Sequence, residues 1–365
     1  MTSLLYPSRR SRPRLPRQRA SGFTLVELLV ALALGLLLLG ALVGLIVSSV
    51  TNRTELDKTS RQIENGRYAL ERLQSDIQMA GFKGTTGLQS WDKVNPVACP
   101  TSPADMGYSA VLAGSTNVPY PLRAQTSTPA CLSTANVRTG TAMLLVSRAA
   151  SDTVAPSAAV KDEAYIQVST CGTDNLPFKA EVAGTDPASQ FTLLQKDCVS
   201  THPAELRKLV HRIYFISDCN DCGKDTTPTL KVAERIKGAL VITPLVEGIE
   251  DLQFDYGIDM DENGSPDCYI SSPDAPATTE VAVTVCPQTA PAYVWTDAAK
   301  NWTNVMAVRI HLLARNLDKS SDADSRKFLM GLAKSEVGPF NDGYKRHVFS
   351  TVARVVNDSA LRELP

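Results

Sequence analysis

An uncharged apolar run near the N-terminus constrains this chain more than any other feature. It extends from Leu28 to Val47 and directly follows the segment GFTLVE at residues 22–27. A helix of about 20 residues rises about 30 Å, which matches the hydrocarbon thickness of a bilayer. The sequence therefore predicts that residues 23–50 form a transmembrane helix.

Residues 1–22 form a basic leader with six arginines, three prolines and no acidic residue. An ordinary secretory signal places its apolar stretch before the cleavage site, whereas here Gly22 precedes the apolar stretch. Cleavage after Gly22 would keep the helix in the mature chain and make Phe23 the first residue. The arginines predict a cytoplasmic N-terminus and a single-pass protein of the inner membrane.

Glu27 is the one charged residue at the start of this helix. A carboxylate inside a spanning helix costs on the order of 2.5 kcal/mol, so it usually marks a partner or a function. After cleavage, Glu27 would be the fifth residue, one turn from the new α-amino group of Phe23. In a polymer, the amine of one subunit could neutralise Glu27 of its neighbour. The alternative is a simple anchor with its acidic residue near the headgroups.

Residues 22–28, GFTLVEL, resemble the class III signal of type IV prepilins and type II secretion pseudopilins. The resemblance implies that a prepilin peptidase cuts after Gly22 and N-methylates Phe23. It also implies that Glu27 guides the subunit into a growing filament. These roles come from the resemblance and cover only the start of the chain.

An amphipathic extension of the helix is predicted over residues 51–81. Leu56, Ile63, Leu70 and Ile77 recur every seven residues, and Leu73 and Ala80 lie on the adjoining seam. Charged residues occupy the other positions, and Gly81 and Gly84 end the pattern. We expect this face to pack under a sheet; a free coiled coil is the alternative.

The remaining residues, 82–365, are long enough for one enlarged globular head. They contain eight apolar or alternating segments that predict strands, at 142–147, 164–168, 209–217, 239–243, 252–258, 281–285, 305–314 and 347–356. Helices of crossover length do not separate these strands regularly, so the sheet should be largely antiparallel. Residues 85–138 read as irregular loop. The predicted fold class is α+β: a long helix, transmembrane and then amphipathic, packed on a largely antiparallel sheet, as in type IV pilins.

The cysteines all lie beyond the helix, where an oxidising compartment favours disulfides. Their number is even, and pairing of nearest neighbours is the simplest arrangement. The spacing Cys219-Asn-Asp-Cys222 also fits half a zinc site or a redox pair, but no second CxxC accompanies it. The predicted disulfide cysteines are Cys99, Cys131, Cys171, Cys198, Cys219, Cys222, Cys268 and Cys286.

Distal segments extend the resemblance to the PilW family of minor type IV pilins. They include NGRYALE at 65–71, VEGIEDLQFDYG at 246–257 and YKRHVFS at 344–350. The family implies a low-abundance subunit that primes pilus assembly and so supports twitching motility and adhesion. The implied partners are other minor pilins, the major pilin, the inner-membrane assembly platform and a pilus-tip adhesin. The head would be periplasmic first and then lie on the cell surface.

One loop predicts a calcium site. Side chains with oxygen ligands occupy its first, third, fifth and ninth positions, glycine occupies the sixth, and the seventh residue would offer its backbone carbonyl. The predicted ligands are Asp259, Asp261, Asn263, Ser265 and Asp267. The twelfth position is Ile270, so the bidentate glutamate of an EF-hand is missing. The alternative is a turn that follows a strand and needs no metal.

Enzymatic function finds no support in the sequence. The four histidines, His202, His211, His311 and His347, are scattered, and no hydrolase, zinc-protease or nucleotide-binding motif is present. The formal charge of −1 includes the six leader arginines, so the mature chain is acidic and unsuited to nucleic acid. Two alternatives to a minor pilin stay open: a minor pseudopilin of a type II secretion system, and a membrane-tethered calcium-dependent adhesin or hydrolase.

Overall fold

A single long helix, α1 (Leu25–Met79), lies near the start of the described part of the chain. The computed structural model describes residues 22–84, 91–111, 115–287, 291–334 and 336–363, so the leader up to residue 21 lies outside the described residues. The chain divides into two units, Met1–Leu56 and Asp57–Pro365. Helix α1 contributes residues to both.

The end of α1 is satisfied by the far end of the chain. Gly81 has a φ of 75°, a left-handed conformation that glycine adopts at low cost and that stops the helix. The side-chain amide of Asn357 donates to the carbonyls of Met79 and Ala80 at 3.2 and 3.0 Å. These bonds pair carbonyl groups that a helix end otherwise leaves without partners.

In the described residues, fourteen strands and three short α-helices follow α1. The strands are β1 (Asp92–Val94), β2 (Ser109–Ala110), β3 (Thr116–Pro119), β4 (Leu122–Gln125), β5 (Met143–Ala149), β6 (Ala164–Val168), β7 (Phe178–Val182), β8 (Leu206–Ser217), β9 (Thr229–Ile236), β10 (Ala239–Glu247), β11 (Ile249–Ile258), β12 (Cys268–Ile270), β13 (Val305–Arg315) and β14 (Arg346–Arg354). The helices are α2 (Pro187–Gln190), α3 (Ala298–Thr303) and α4 (Val356–Arg362).

The strands form three sheets. The largest has seven strands in the order β10-β9-β8-β5-β4, with β6 joined to β8 and β7 joined to β6. A four-stranded sheet has the order β12-β11-β13-β14, and a three-stranded sheet the order β1-β3-β2. Every described strand pair is antiparallel except β1 with β3. The predicted α+β class, with a long helix against antiparallel sheets, is confirmed.

Seven of the eight predicted strands overlap strands of the structure, and the eighth is wrong. Residues 281–285 form turns, in which the N–H groups of Val285 and Cys286 donate to the carbonyl of Ala282. These local bonds replace a ladder, and Val283 is 64% exposed, so no sheet uses its apolar side chain. Residues 85–138 also depart from the prediction, because β1 to β4 lie within them.

One apolar core joins α1 to the two larger sheets. From α1 it contains Ala69, Leu73 and Ile77, and Ala80 follows directly after the helix. From β11 it contains Leu252, Phe254, Tyr256 and Ile258, the alternating set that the sequence predicted. Strands β5, β8 and β9 of the seven-stranded sheet contribute Leu144, Tyr214 and Leu230. Each fully buried aliphatic side chain of this kind stabilises the fold by about 1.5–3 kcal/mol.

The buried face of α1 differs from the predicted seam. Its fully buried residues are Gln62, Gly66, Ala69, Leu73, Asp76 and Ile77, whereas Ile63 and Leu70 are only half-buried. The face is offset because it accepts two polar residues whose side chains find partners in the head. Gln62 donates to the backbone carbonyls of Ala314 and Lys345 at 2.7 and 2.9 Å. Such bonds remove the cost of burying an amide.

Candidate functional site

The N-terminal motif forms a capped helix start. Gly22, Phe23 and Thr24 are non-helical, and Phe23 is 88% exposed. The Glu27 carboxylate accepts from the backbone N–H of Thr24 at 2.9 Å and from its hydroxyl at 3.0 Å. The backbone N–H of Glu27 donates to the Thr24 hydroxyl oxygen at 3.2 Å. This reciprocal arrangement is a capping box, which pairs two N–H groups that a helix start leaves open.

Sequence reasoning missed the role of Thr24. The signal was present, because Thr24-Leu-Val-Glu27 has the Ser/Thr-x-x-Glu spacing of a capping box. In the isolated chain, Glu27 is thus a local cap as well as the residue predicted to guide assembly. Its carboxylate has a partner within one turn before any other subunit arrives.

The helix beyond this motif exposes its apolar side chains. Among the described residues, α1 is the one helix long and apolar enough to cross a membrane, and none of its most apolar window is buried in the isolated chain. Leu37 and Leu45, for example, are 71% and 72% exposed. Exposed apolar area of this extent needs lipid or other helices to cover it.

The predicted calcium loop follows β11 and brings three of its five predicted ligands together. Carboxylate oxygens of Asp259, Asp261 and Asp267 all lie within 4.8 Å of one another, with Asp259 buried and the other two exposed. Asn263 is bonded within the loop: its side-chain oxygen accepts from the backbone N–H of Ser265 at 2.8 Å, and its amide donates to Asp261 at 2.9 Å. The three carboxylates thus form an acidic triad.

A cation from the chain itself already contacts this triad. The Arg362 guanidinium on α4 donates to Asp259 Oδ2 at 2.8 Å, and the N–H of Gly264 donates to the same oxygen at 2.9 Å. A Cβ at Gly264 would lie 2.7 Å from the carbonyl of Ser359, so only glycine lets the loop approach α4 this closely. The loop is thus packed and charge-compensated by the C-terminal helix.

All eight cysteines form disulfides, in the nearest-neighbour pairing that the sequence suggested. The bonds join Cys99 to Cys131, Cys171 to Cys198, Cys219 to Cys222, and Cys268 to Cys286. The Cys219–Cys222 pair is therefore a small disulfide loop. Its sulfurs are bonded to each other and do not form half of a zinc site.

A buried ionic cluster fastens α1 to the seven-stranded sheet. Asp76 is 5% exposed and accepts from Arg148 Nε at 2.7 Å, Arg212 Nη1 at 3.2 Å and the Tyr214 hydroxyl at 2.8 Å. Burial by itself would raise the pKa of Asp76. The charges of Arg212 and Arg148 and the hydrogen bond from Tyr214 outweigh this effect of burial, so the pKa of Asp76 lies below its ordinary value. Burial and the Asp76 carboxylate raise the pKa of Tyr214. This cluster could not be predicted from the sequence, because Asp76 looks like any other polar residue of an amphipathic helix.

The fold also aligns three polar residues that sequence reasoning kept apart. His311 on β13 lies 3.0 Å from the Ser350 hydroxyl on β14, and its other ring nitrogen lies 2.9 Å from Asp255 on β11. Asp255 Oδ1 also accepts the backbone N–H of Leu332 at 2.9 Å, so the chain of bonds ties the segment after β13 to the sheet. His211 lies elsewhere in the head, and burial lowers its pKa to about 4.

Comparison with known families assigns the chain. A family model described as Type IV Pilus-assembly protein W matches residues 213–357, from β8 to the start of α4. A second model, described as the prokaryotic N-terminal methylation motif, matches residues 17–43, around Gly22 and Glu27. No curated protein and no solved structure matches the chain. Over residues 213–357 the chain thus belongs to the PilW family of type IV pilus-assembly proteins, a family of structural proteins, and over residues 17–43 it carries the prokaryotic N-terminal methylation motif.

Proposed function

We propose that this chain is a minor type IV pilin that primes pilus assembly and enters the filament. The observation that carries the proposal is the presence of both family signatures in one chain, with a long helix that begins within the first of them. The methylation motif supplies the means of processing, and the PilW region supplies the head. The hydrolase alternative falls with the family assignment, because the family is not enzymatic.

Processing is proposed to occur between Gly22 and Phe23. The structure is compatible with access by a peptidase, because Gly22, Phe23 and Thr24 precede the helix and are exposed. The leader arginines would hold residues 1–22 in the cytoplasm while the apolar helix spans the inner membrane and the head is periplasmic. Mass spectrometry of the mature protein should find a chain that begins with N-methylated Phe23. A chain that begins at Met1, or at any residue other than Phe23, contradicts the proposal.

Glu27 is proposed to exchange partners during assembly. In the isolated chain it accepts bonds from Thr24. After cleavage, an α-amino group of a neighbouring subunit offers a donor with a full positive charge, so it adds a Coulomb attraction that the uncharged N–H and hydroxyl of Thr24 cannot supply. Glu27→Val should therefore abolish the entry of this subunit into pili. Glu71→Val, at an exposed glutamate of the same helix, is the matched control and should leave pili intact.

Pilus and secretion roles separate by phenotype. Deletion of a minor pilin should remove surface pili and twitching, with the secretion of exoproteins unchanged. Deletion of a minor pseudopilin would give the opposite pair of results. The PilW match supports the first outcome. The proposed partners are the prepilin peptidase, the assembly platform, other minor pilins, the major pilin and a pilus-tip adhesin.

Calcium binding by the acidic triad is a separate proposal, supported by the convergence of Asp259, Asp261 and Asp267. Arg362 competes with any cation for Asp259. Calorimetry should show weak binding of Ca²⁺ to the wild-type protein, tighter binding to Arg362→Gln, and loss of binding in Asp261→Asn with Asp267→Asn. Absence of binding to both wild type and Arg362→Gln at millimolar Ca²⁺ contradicts a calcium site.

A further inference from the structure

The edge strand β10 of the seven-stranded sheet carries no charge before its last residue, Glu247. Residues 239–246 read ALVITPLV, and β10 pairs only with β9. Among the described residues, the backbone groups of residues 239–243 have no hydrogen-bond partner other than β9. The C-terminal half of β10 is less suited to pairing with another strand, because Pro244 lacks an N–H and the register shifts between Pro244 and Val246. The open edge is thus the five-residue segment Ala239 to Thr243.

The other terminal strands are either very short or charged, which are two ways in which natural sheets protect their edges. Strands β2 and β12 have two and three residues, and charged side chains lie on β1, β4, β7 and β14, at Asp92 and Lys93, at Arg123, at Lys179 and Glu181, and at Arg346 and Arg354. Charges on an edge strand discourage pairing with another chain. Strand β10 lacks this protection, although Val241 is 38% exposed on it. An uncharged open edge of this kind is a template for strand addition.

We propose that Ala239 to Thr243 is a docking edge that receives an extended, uncharged strand from the head of another pilin subunit. The hydrogen-bonding chemistry defines the occupant, since a row of backbone N–H and C=O groups is matched only by another extended backbone. The absence of charge over residues 239–246 favours an uncharged partner strand. This proposal rests on the proposed function, because it takes the partner to be a pilus subunit.

Photo-crosslinking in pilus-producing cells tests the proposal on the full chain. A photoreactive residue at position 241 should crosslink to a strand segment in the head of a different pilin. The same residue at position 199, which is 42% exposed but outside the sheets, should not. No crosslink at 241, a crosslink to a helix, or a crosslink to a second copy of this chain overturns the proposal.

A substitution gives a second readout. Val241 lies opposite Glu234 of β9, so a lysine at this position gains a cross-strand partner and the sheet is kept. Val241→Lys should lower the yield of the partner isolated with this chain by at least tenfold, and Val199→Lys should not change it. Thr243→Lys is the second variant if Val241→Lys does not fold. An unchanged yield in a folded variant overturns the docking edge; if Glu27→Val still abolishes incorporation, the proposed function stands.

Discussion

The two halves of helix α1 have opposite chemistry within one unbroken helix. The residues from Leu28 to Val47 carry no charge and are largely exposed in the isolated chain, whereas the face from Gln62 to Ile77 is buried and includes Gln62 and Asp76. In the described part of the chain the apolar side chains of the first half stay exposed, whereas those of the second half pack in the core of the head. The contrast shows that the apolar half awaits lipid or other subunits, and that polar side chains dock the other half.

The largest test of this contrast is the buried carboxylate. Asp76→Ala should lower the free energy of unfolding of the head by about 3–5 kcal/mol, because it removes the carboxylate that pairs with Arg148 and leaves Arg212 with Glu234 alone. The measurement is urea unfolding of the full-length protein in detergent. Asp57→Ala removes an ion pair with Arg61 that is mostly exposed, and it should change stability by less than about 1 kcal/mol. Equal effects of the two variants would contradict polar docking.

A second test concerns the glycine of the buried face. A Cβ at Gly66 would overlap the Phe349 ring on β14, so the helix and sheet approach closely there. Gly66→Ala should cost about 1–3 kcal/mol through overpacking, despite the helix propensity that alanine adds. In a Phe349→Leu background the cost should fall sharply. Gly44→Ala, where nothing lies within 4 Å of the added Cβ, is the control and should leave the stability of the head unchanged.

Acid should weaken the docked half before it affects the apolar half. The pKa of Asp76 is lowered from 3.8 in the folded head, so the stability it contributes is complete above pH 3.8. That contribution is lost as the pH falls below 3.8 and through the folded pKa, because the unfolded chain binds the proton first. Unfolding curves between pH 5 and pH 2 should show this loss in the wild type and a smaller loss in Asp76→Asn. Parallel curves for the two proteins would contradict the assignment.

The smallest expected effect sharpens the same comparison. Leu37 and Leu73 lie on one helix, but Leu37 is 71% exposed and Leu73 is fully buried. Leu37→Ala should change the unfolding free energy of the head by less than about 0.5 kcal/mol, whereas Leu73→Ala should cost about 2–5 kcal/mol. The same unfolding measurement compares them. A large effect of Leu37→Ala on the head would show that the two halves are not independent.

Periodicity predicted elements better than it predicted partners. The alternation of Leu252, Phe254, Tyr256 and Ile258 gave both the strand and the side that faces the core, because a strand repeats every two residues. The same rule failed at residues 281–285, where local turn bonds replace the ladder. Strand β9 was missed because Lys231, Glu234 and Arg235 interrupt its apolar pattern.

The candidate sites divide in the same way. The motif at residues 22–27 could be recognised in the sequence because it consists of neighbouring residues. The capping box of Thr24 and Glu27 is equally local. The ion pair of Arg362 with Asp259 was not readable, because 103 positions separate the two residues. Because of that contact, any calcium ion at the acidic triad must compete with Arg362 for Asp259.

The sequence by itself determined the N-terminal methylation motif, the apolar helix, the α+β class and the likeness of residues 213–357 to the PilW family. Each depends on residues that are close in the chain or on a repeat of fixed period. Only the tertiary structure decided which face of α1 is buried, how Asp76 meets Arg148 and Arg212, and which sheet edge is left open. These features depend on distant residues brought together by packing, and no local pattern encodes the pairing of one buried charge with another.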